Sequence, residues 1–335
     1  MNDLEIDRLR GPIVRSVSRS FYLSLRVLPG PLRDPLSLAY LLARATDTIA
    51  DTPEAPGKLR TEALRNLARG IQGDTPIETA AVIRNSFVPL QSNQAERALI
   101  DTLPAILEWL ELLDDRDRCE VREVLKRINK GQMLDLERFG TGTGIQSLST
   151  GADLDQYTYL VAGCVGEFWT RLCFAHIRNC CDWAESEMLV LGGQYGKGLQ
   201  LINILRDVGS DLKAGRCYLP ADELHSLGLT PGEILAKPAR VESIVRHWHE
   251  KAKSGMMAGL DYACAINQRR VRFATVLPAL IGARTLSLMR EAGTNVFERT
   301  VKVPRAGVRK IMSSAALSFA SRSSLRRLFA RLQQV

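Results

Sequence analysis

The chain is poor in histidine, with four residues, and in aromatic side chains, which make up 6%. His247 and His249 stand two residues apart and so point to different faces of a helix, which excludes a paired-histidine metal site there. Seven cysteines form no CxxC, and only Cys180 and Cys181 are adjacent. This odd, unpatterned set argues against a disulfide framework and predicts reduced thiols in a reducing cytosol. No window approaches ~18 uninterrupted apolar residues, and the opening MNDLEIDRLRGPIV has acids where a signal peptide has an apolar core, so neither a membrane span nor a secretion signal is expected. No run of alternating β-branched residues is long enough for a sheet. Phosphate loops are missing as well. GTGTG at Gly140 to Gly144 is not G-x-G-x-x-G and follows a helix, while GGQYGKG at Gly192 to Gly198 is one residue short and has no Ser or Thr after Lys197. No Ser-His-Asp or Cys-His pattern suggests a nucleophilic enzyme.

What is present is helical periodicity over 335 residues, 45% of them hydrophobic. Helices are predicted at 12–27, 34–51, 58–71, 78–90, 94–112, 116–139, 153–180, 185–213, 239–265, 270–291 and 304–333, separated by Gly- and Pro-rich breakers. The expected architecture is all-α, a single helical domain over 1–335. A net charge of +8 suits an anionic partner: a phosphorylated substrate, an acidic membrane surface or nucleic acid. Lys and Arg are interleaved with acids and no reader motif appears, so no nucleic-acid partner is expected.

Two stretches carry the chemistry. GLQLINILRDVGSDLKAGRCYLP, from Gly198 to Pro220, stacks Asn203, Asp207 and Asp211 at successive i, i+4 steps, with Arg206 on the flank. AYLLARATDTIADT, from Ala39 to Thr52, repeats the pattern with Tyr40, Arg44, Asp47 and Asp51 on one line. Paired carboxylates on one face repel each other. A divalent metal relieves the repulsion, and magnesium is typically held by one or two carboxylates plus substrate phosphate oxygens. Two such helices can hold metals around a diphosphate; the alternative for either one is a solvated face. Asp114, Asp115 and Asp117 are read as a solvated turn.

Three weaker signals accompany these. Ser16, Arg19 and Ser20 share a face that suits a phosphate oxygen. Ala162, Gly163 and Gly166 in DQYTYLVAGCVGEFWTR let something approach the backbone, either a ligand or a neighbouring helix, with Tyr157 upstream. The stretch 321–335 sets Arg322, Arg326, Arg327 and Arg331 against Leu325, Leu328, Phe329 and Leu332, a basic amphipathic helix that either lies on an anionic membrane or docks on the domain.

As a set and in this order, SRSFYLSLRVLP, AYLLARATDTIAD, QYTYLVAGCVGEFWTRL, GLQLINILRDVGSDLKAGRCYLP and VKVPR at Val301 to Arg305 resemble the squalene and phytoene synthases, and among them more the squalene synthases. The resemblance implies an isoprenoid synthase fold, a head-to-head trans-isoprenyl diphosphate synthase domain, and condensation of two farnesyl diphosphates. It also implies magnesium, or manganese in its place, held by Asp47, Asp51, Asn203, Asp207 and Asp211. Arg19, Ser20, Tyr40, Arg44, Arg206 and Arg216 become diphosphate or active-site contacts, and Tyr157 the tyrosine of the first half-reaction. Lys302, Arg305 and Phe273 become the NADPH site of a reduction to squalene; relatives without that step stop at dehydrosqualene, hydroxysqualene or phytoene. The chain departs from many squalene synthases in having Ala50 and Thr52 beside Asp51 and Ser210 before Asp211, where they carry extra acids. A monomeric cytoplasmic protein, touching the inner face of the membrane through its basic tail, is the corresponding expectation.

Overall fold

The computed structural model describes residues 2–18, 21–140 and 144–334. The expected phosphate contacts Arg19 and Ser20 lie outside the described residues. The chain forms two compact units, Met1–Glu137 with Arg171–His176, and Arg138–Thr170 with Ile177–Val335.

In the first unit the main helices are α1 (Gly30–Ala50), α2 (Gly57–Ile71), α3 (Pro76–Phe87), α4 (Gln94–Asp101), α5 (Leu103–Leu112) and α6 (Asp115–Phe139). Proline at the start of α1 and α3 fits the first turn, where its missing N–H would be unpaired anyway. Leu32, Leu36, Leu38, Leu41, Leu42, Ala45 and Ile49 bury one broad face of α1. The predicted helix 94–112 divides at Thr102, whose hydroxyl donates to the Ala98 and Leu99 carbonyls just before Pro104 removes a backbone donor. Asp117 corrects the reading of a solvated turn: it is buried at 4% exposure, with its Oδ1 2.7 Å from His176 Nε2.

The second unit contains α7 (Gly151–Thr158), a π-helical turn (Tyr159–Gly163), the part of α8 (Cys164–His176) up to Thr170, α9 (Glu185–Lys213), α10 (Glu242–Ala265), α11 (Arg269–Ala292), α12 (Arg305–Ser318) and α13 (Arg322–Gln333). Thr150 and Asp153 form a reciprocal capping box at the start of α7. Helix α9 is the axis of this unit and is approached closely by its neighbours. A Cβ on Gly166 would collide with the Gly192 carbonyl, one on Gly196 with the Ala162 carbonyl, and one on Gly198 with the Gly255 backbone. The small residues at 162–166 and the glycines from 192 to 198 therefore serve helix packing, which decides between the two readings left open for Gly163 and Gly166.

Helix α11 and the turn after it, Arg269–Phe297, are long and apolar enough to cross a membrane by composition alone, yet 72% of the most apolar stretch is buried in protein. The helix runs unbroken through Pro278. Helix α13 packs on α10 and α11, burying Leu325, Leu328 and Phe329, with Arg326 Nη1 2.8 Å from Asp261. The apolar side of the expected amphipathic tail is thus used inside the protein. Among the described residues, strand structure is limited to Gln146–Ser147 paired in parallel with Arg216–Cys217, plus one isolated bridge between Cys181 and Ile266.

Candidate active site

Both acid pairs sit at the C-terminal ends of their helices. Asp47 is in the last turn of α1 and Asp51 is its C-cap; Asp207 and Asp211 are in the last two turns of α9. A helix C-terminus carries partial negative charge, so carboxylates there oppose the helix dipole. Four acids placed this way are poorly explained by helix stability and well explained by a cation.

On α1, the Tyr40 hydroxyl donates to the Val17 carbonyl at 3.0 Å. Arg44 Nη2 donates to Glu96 Oε1 at 2.5 Å, while its Nη1 stands 3.9 Å from Asp47 Oδ2. Gln132 on α6 donates from Nε2 to Asp47 Oδ1 at 2.5 Å. Asp47 keeps 47% of its side chain open, but it lies deep among surrounding groups. Loss of bulk water pushes its carboxyl up to about 6; Arg44 and Gln132 oppose the rise, and the charges of Asp51 and Asp135 add to it. Asp135 and Gln132 are site residues that the motif reading missed. Gln132 is itself 7% exposed, and its Oε1 is buried with no hydrogen-bond partner.

On α9, Asn203 is exposed and Arg206, Asp207 and Asp211 are half-buried, while Leu201, Ile202, Ile204, Leu205 and Val208 are buried. The polar residues form an open stripe on an otherwise internal helix. Arg206 clamps its own neighbour: Nε donates to Asp207 Oδ1 at 3.0 Å and Oδ2 at 3.1 Å, with an ion pair from Nη2. Asn203 Nδ2 donates to Gln200 Oε1 at 3.3 Å. Burial pushes the Cys217 thiol up to about 12, with the Asp211 charge adding to the rise and a backbone hydrogen bond at Leu219 opposing it. The short strand pair places Arg216 directly after this helix. Tyr157 stacks on Tyr218, centroids 5.2 Å apart at 25°, and Phe139 meets Tyr218 edge-on at 5.2 Å. The aromatic partners Tyr218 and Phe139 were also not foreseen.

The three residues matched to NADPH do not converge. Lys302, three residues before α12, and Arg305, its first residue, are exposed, whereas Phe273 packs on Phe319 just past the other end of that helix, 5.9 Å between centroids. Fourteen helical residues put those ends ~20 Å apart.

A model of the squalene/phytoene synthase family matches residues 14–307. The chain belongs to the squalene/phytoene synthase family. It is 32% identical over 240 residues to a bifunctional lycopene cyclase/phytoene synthase of Phaeosphaeria nodorum, covering 71% of this chain and 38% of that protein. The chain thus spans well under half the length of that relative. It is 26% identical over 305 residues to the 15-cis-phytoene synthase of a Synechocystis strain, covering 87% of this chain and 79% of that one. The solved squalene synthase of Alicyclobacillus acidocaldarius superposes with a TM-score of 0.59 at 19% identity, over 86% of this chain and 94% of that one. The all-α isoprenoid synthase fold is accordingly that of this chain.

The α1 and α9 residues fit a divalent metal. Their acids lie at negative helix ends, and the Asp47 carboxyl feels two further carboxylates. Among the described residues, no three acidic, histidine or cysteine side chains converge enough to hold an ion unaided.

Proposed function

We propose that the chain is a magnesium-dependent prenyltransferase that joins two farnesyl diphosphates head to head. The observation that carries this reading is the duplicated arginine-plus-DxxxD helix end in a chain of this family. Asp47 and Asp51 on α1 would hold magnesium, and so would Asp207, Asp211 and Asn203 on α9. When bound, magnesium neutralises the diphosphate and lowers the cost of its departure. Arg44 on α1, and Arg206 and Arg216 at the end of α9, supply fixed positive charge for a departing diphosphate. The C–O bond of one substrate breaks with its electron pair going to diphosphate. The alkene of the second substrate attacks the allylic cation, and loss of a proton closes the cyclopropane of presqualene diphosphate. The Tyr157 hydroxyl serves this first half-reaction, held by its stack on Tyr218. Apolar packing around the polar stripes keeps water from the cation.

The fate of that intermediate separates two readings. A reduction to squalene needs a hydride from NADPH, and the residues matched to that cofactor do not meet. A second reading, favoured by the phytoene synthase relatives, takes two twenty-carbon diphosphates to phytoene without reductant. Product analysis by gas chromatography and mass spectrometry, with fifteen- and twenty-carbon substrates, magnesium, and with or without NADPH, tests both. Squalene only with NADPH, and presqualene diphosphate without it, supports the first reading. Phytoene irrespective of NADPH supports the second. Neither substrate being consumed by folded, magnesium-loaded protein overturns both.

A further inference from the structure

Over most of its length the chain alternates charges, but the segment 299–335 does not. It holds nine of the 45 Lys and Arg residues and none of the 37 Asp and Glu residues, which leaves 36 basic and 37 acidic side chains in the preceding 298 residues. The entire net positive charge therefore resides in the last 37 residues, and the remainder is close to neutral.

The fold displays this charge. All nine cations are exposed. Helices α12 and α13 pack on α11 and on each other, with Ile311 and Ala315 of one and Leu325, Leu328 and Phe329 of the other turned inward. At 100° per residue this places Arg309 and Lys310 on the outward side of α12, and Arg327 and Arg331 on that of α13. The acids beneath are engaged: Asp261 with Arg326, and Glu291 with Arg284. Leu317, two helical turns from Lys310 on the outward side of α12, is 89% exposed, the most exposed large apolar side chain among the described residues.

We propose that the outward face of α12 and α13 is a docking surface for an anionic lipid bilayer. The partner's chemistry follows from the face itself. Cations in this number attract a negatively charged surface, each contributing about a five-fold gain in affinity. Leu317 projects from among them, which suits an acyl boundary and has no use at a phosphodiester backbone. The outward face presents no aromatic ring for base stacking, since Phe319 is engaged by Phe273 and Phe329 is buried. This differs from the amphipathic-tail expectation: the apolar side of α13 is inside the protein, so contact is made by the cations of two helices and one projecting leucine.

Co-sedimentation of the full chain with phosphatidylcholine vesicles, with and without one quarter phosphatidylglycerol, tests the assignment at about 0.1 M and 0.5 M salt. Binding to the anionic vesicles, at least ten-fold weaker binding to neutral ones, and release by high salt are expected. The quadruple variant Arg309→Gln, Lys310→Gln, Arg327→Gln, Arg331→Gln should bind at least 10²-fold more weakly at unchanged helicity and with unchanged turnover of soluble substrate. Leu317→Ser should weaken binding a few-fold. Unchanged vesicle binding by the quadruple variant, or equal binding to both vesicle types, overturns the proposal. So does tighter binding to duplex DNA than to anionic vesicles at the same salt, which would assign the face to nucleic acid.

Discussion

The two acid helices carry the same short motif and poise it differently. On α9, Asp207 is neutralised by the residue beside it, through a multiple contact with Arg206. On α1, Arg44 gives its short contact to Glu96 and reaches Asp47 only at 3.9 Å, while Asp51 and Asp135 press on the same carboxyl. The α9 acid is balanced without a metal, and the α1 acid is left short of positive charge. Spacing along a helix thus fixes which carboxylates can cooperate, and the partners arriving from elsewhere decide how strongly they demand a cation.

The largest effect expected is from Asp47→Asn, which should lower kcat by on the order of 10³. Asp207→Asn should cost less, because Arg206 is freed to meet the diphosphate. Equal losses in the two variants would break the comparison. Stability should move the opposite way. A carboxyl whose folded pKa is raised to about 6 costs stability above that pH, and the cost fades as pH falls toward the unfolded value. In metal-free protein at pH 8, Asp47→Asn should therefore melt at or ~1–3 °C above the unsubstituted chain, the half-open side chain keeping the gain small. A clear drop in Tm would show that Asp47 is a structural acid. Next in size, Tyr157→Phe should lower formation of presqualene diphosphate by ~10² while keeping the ring stack on Tyr218. Normal accumulation of the intermediate would remove the hydroxyl from the first half-reaction.

The helical frame was legible because local periodicity specifies it: the predicted 185–213 is Glu185–Lys213, and 58–71 is Gly57–Ile71. Breaks inside long predicted helices were less visible. The stretch 153–180 is interrupted by the π-turn at Tyr159–Gly163, and 304–333 divides between Ser318 and Arg322. Extra backbone turns of this kind carry no residue signature that periodicity detects. The paired acids were readable from i, i+4 spacing alone. Gln132 and Asp135 were not, since Gln132 reaches Asp47 across 85 residues of sequence. The available hint was that polar residues interrupt the apolar face of α6 at Asn129 and Gln132, both buried. The glycines near Gly163 and Gly192 showed that something comes close; only the fold shows that each set is the other's neighbour.

Gln132 sharpens the comparison with the smallest effect. Its Nε2 donates to Asp47, and the reverse amide orientation would set its oxygen against a carboxylate, so the assignment follows from chemistry. One Asp47 oxygen is thereby held while the other stays available, and the buried Oε1 keeps an unused acceptor beside the site. A supporting contact of this kind is worth ~10–100-fold in metal affinity. Gln132→Met keeps length and apolar volume but removes the donor, and it should raise the magnesium concentration for half-maximal activity ~10-fold with little change in kcat at saturating metal. Manganese binding followed by electron paramagnetic resonance in the presence of inorganic diphosphate should weaken in parallel. On α9, where Asp207 is held by its own neighbour, the exposed Ser210→Ala should leave metal affinity unchanged, because the Ser210 hydroxyl bonds the Asp207 carbonyl and not its carboxylate. A fall in kcat for Gln132→Met that excess magnesium does not restore would mean that Gln132 acts on more than the orientation of Asp47.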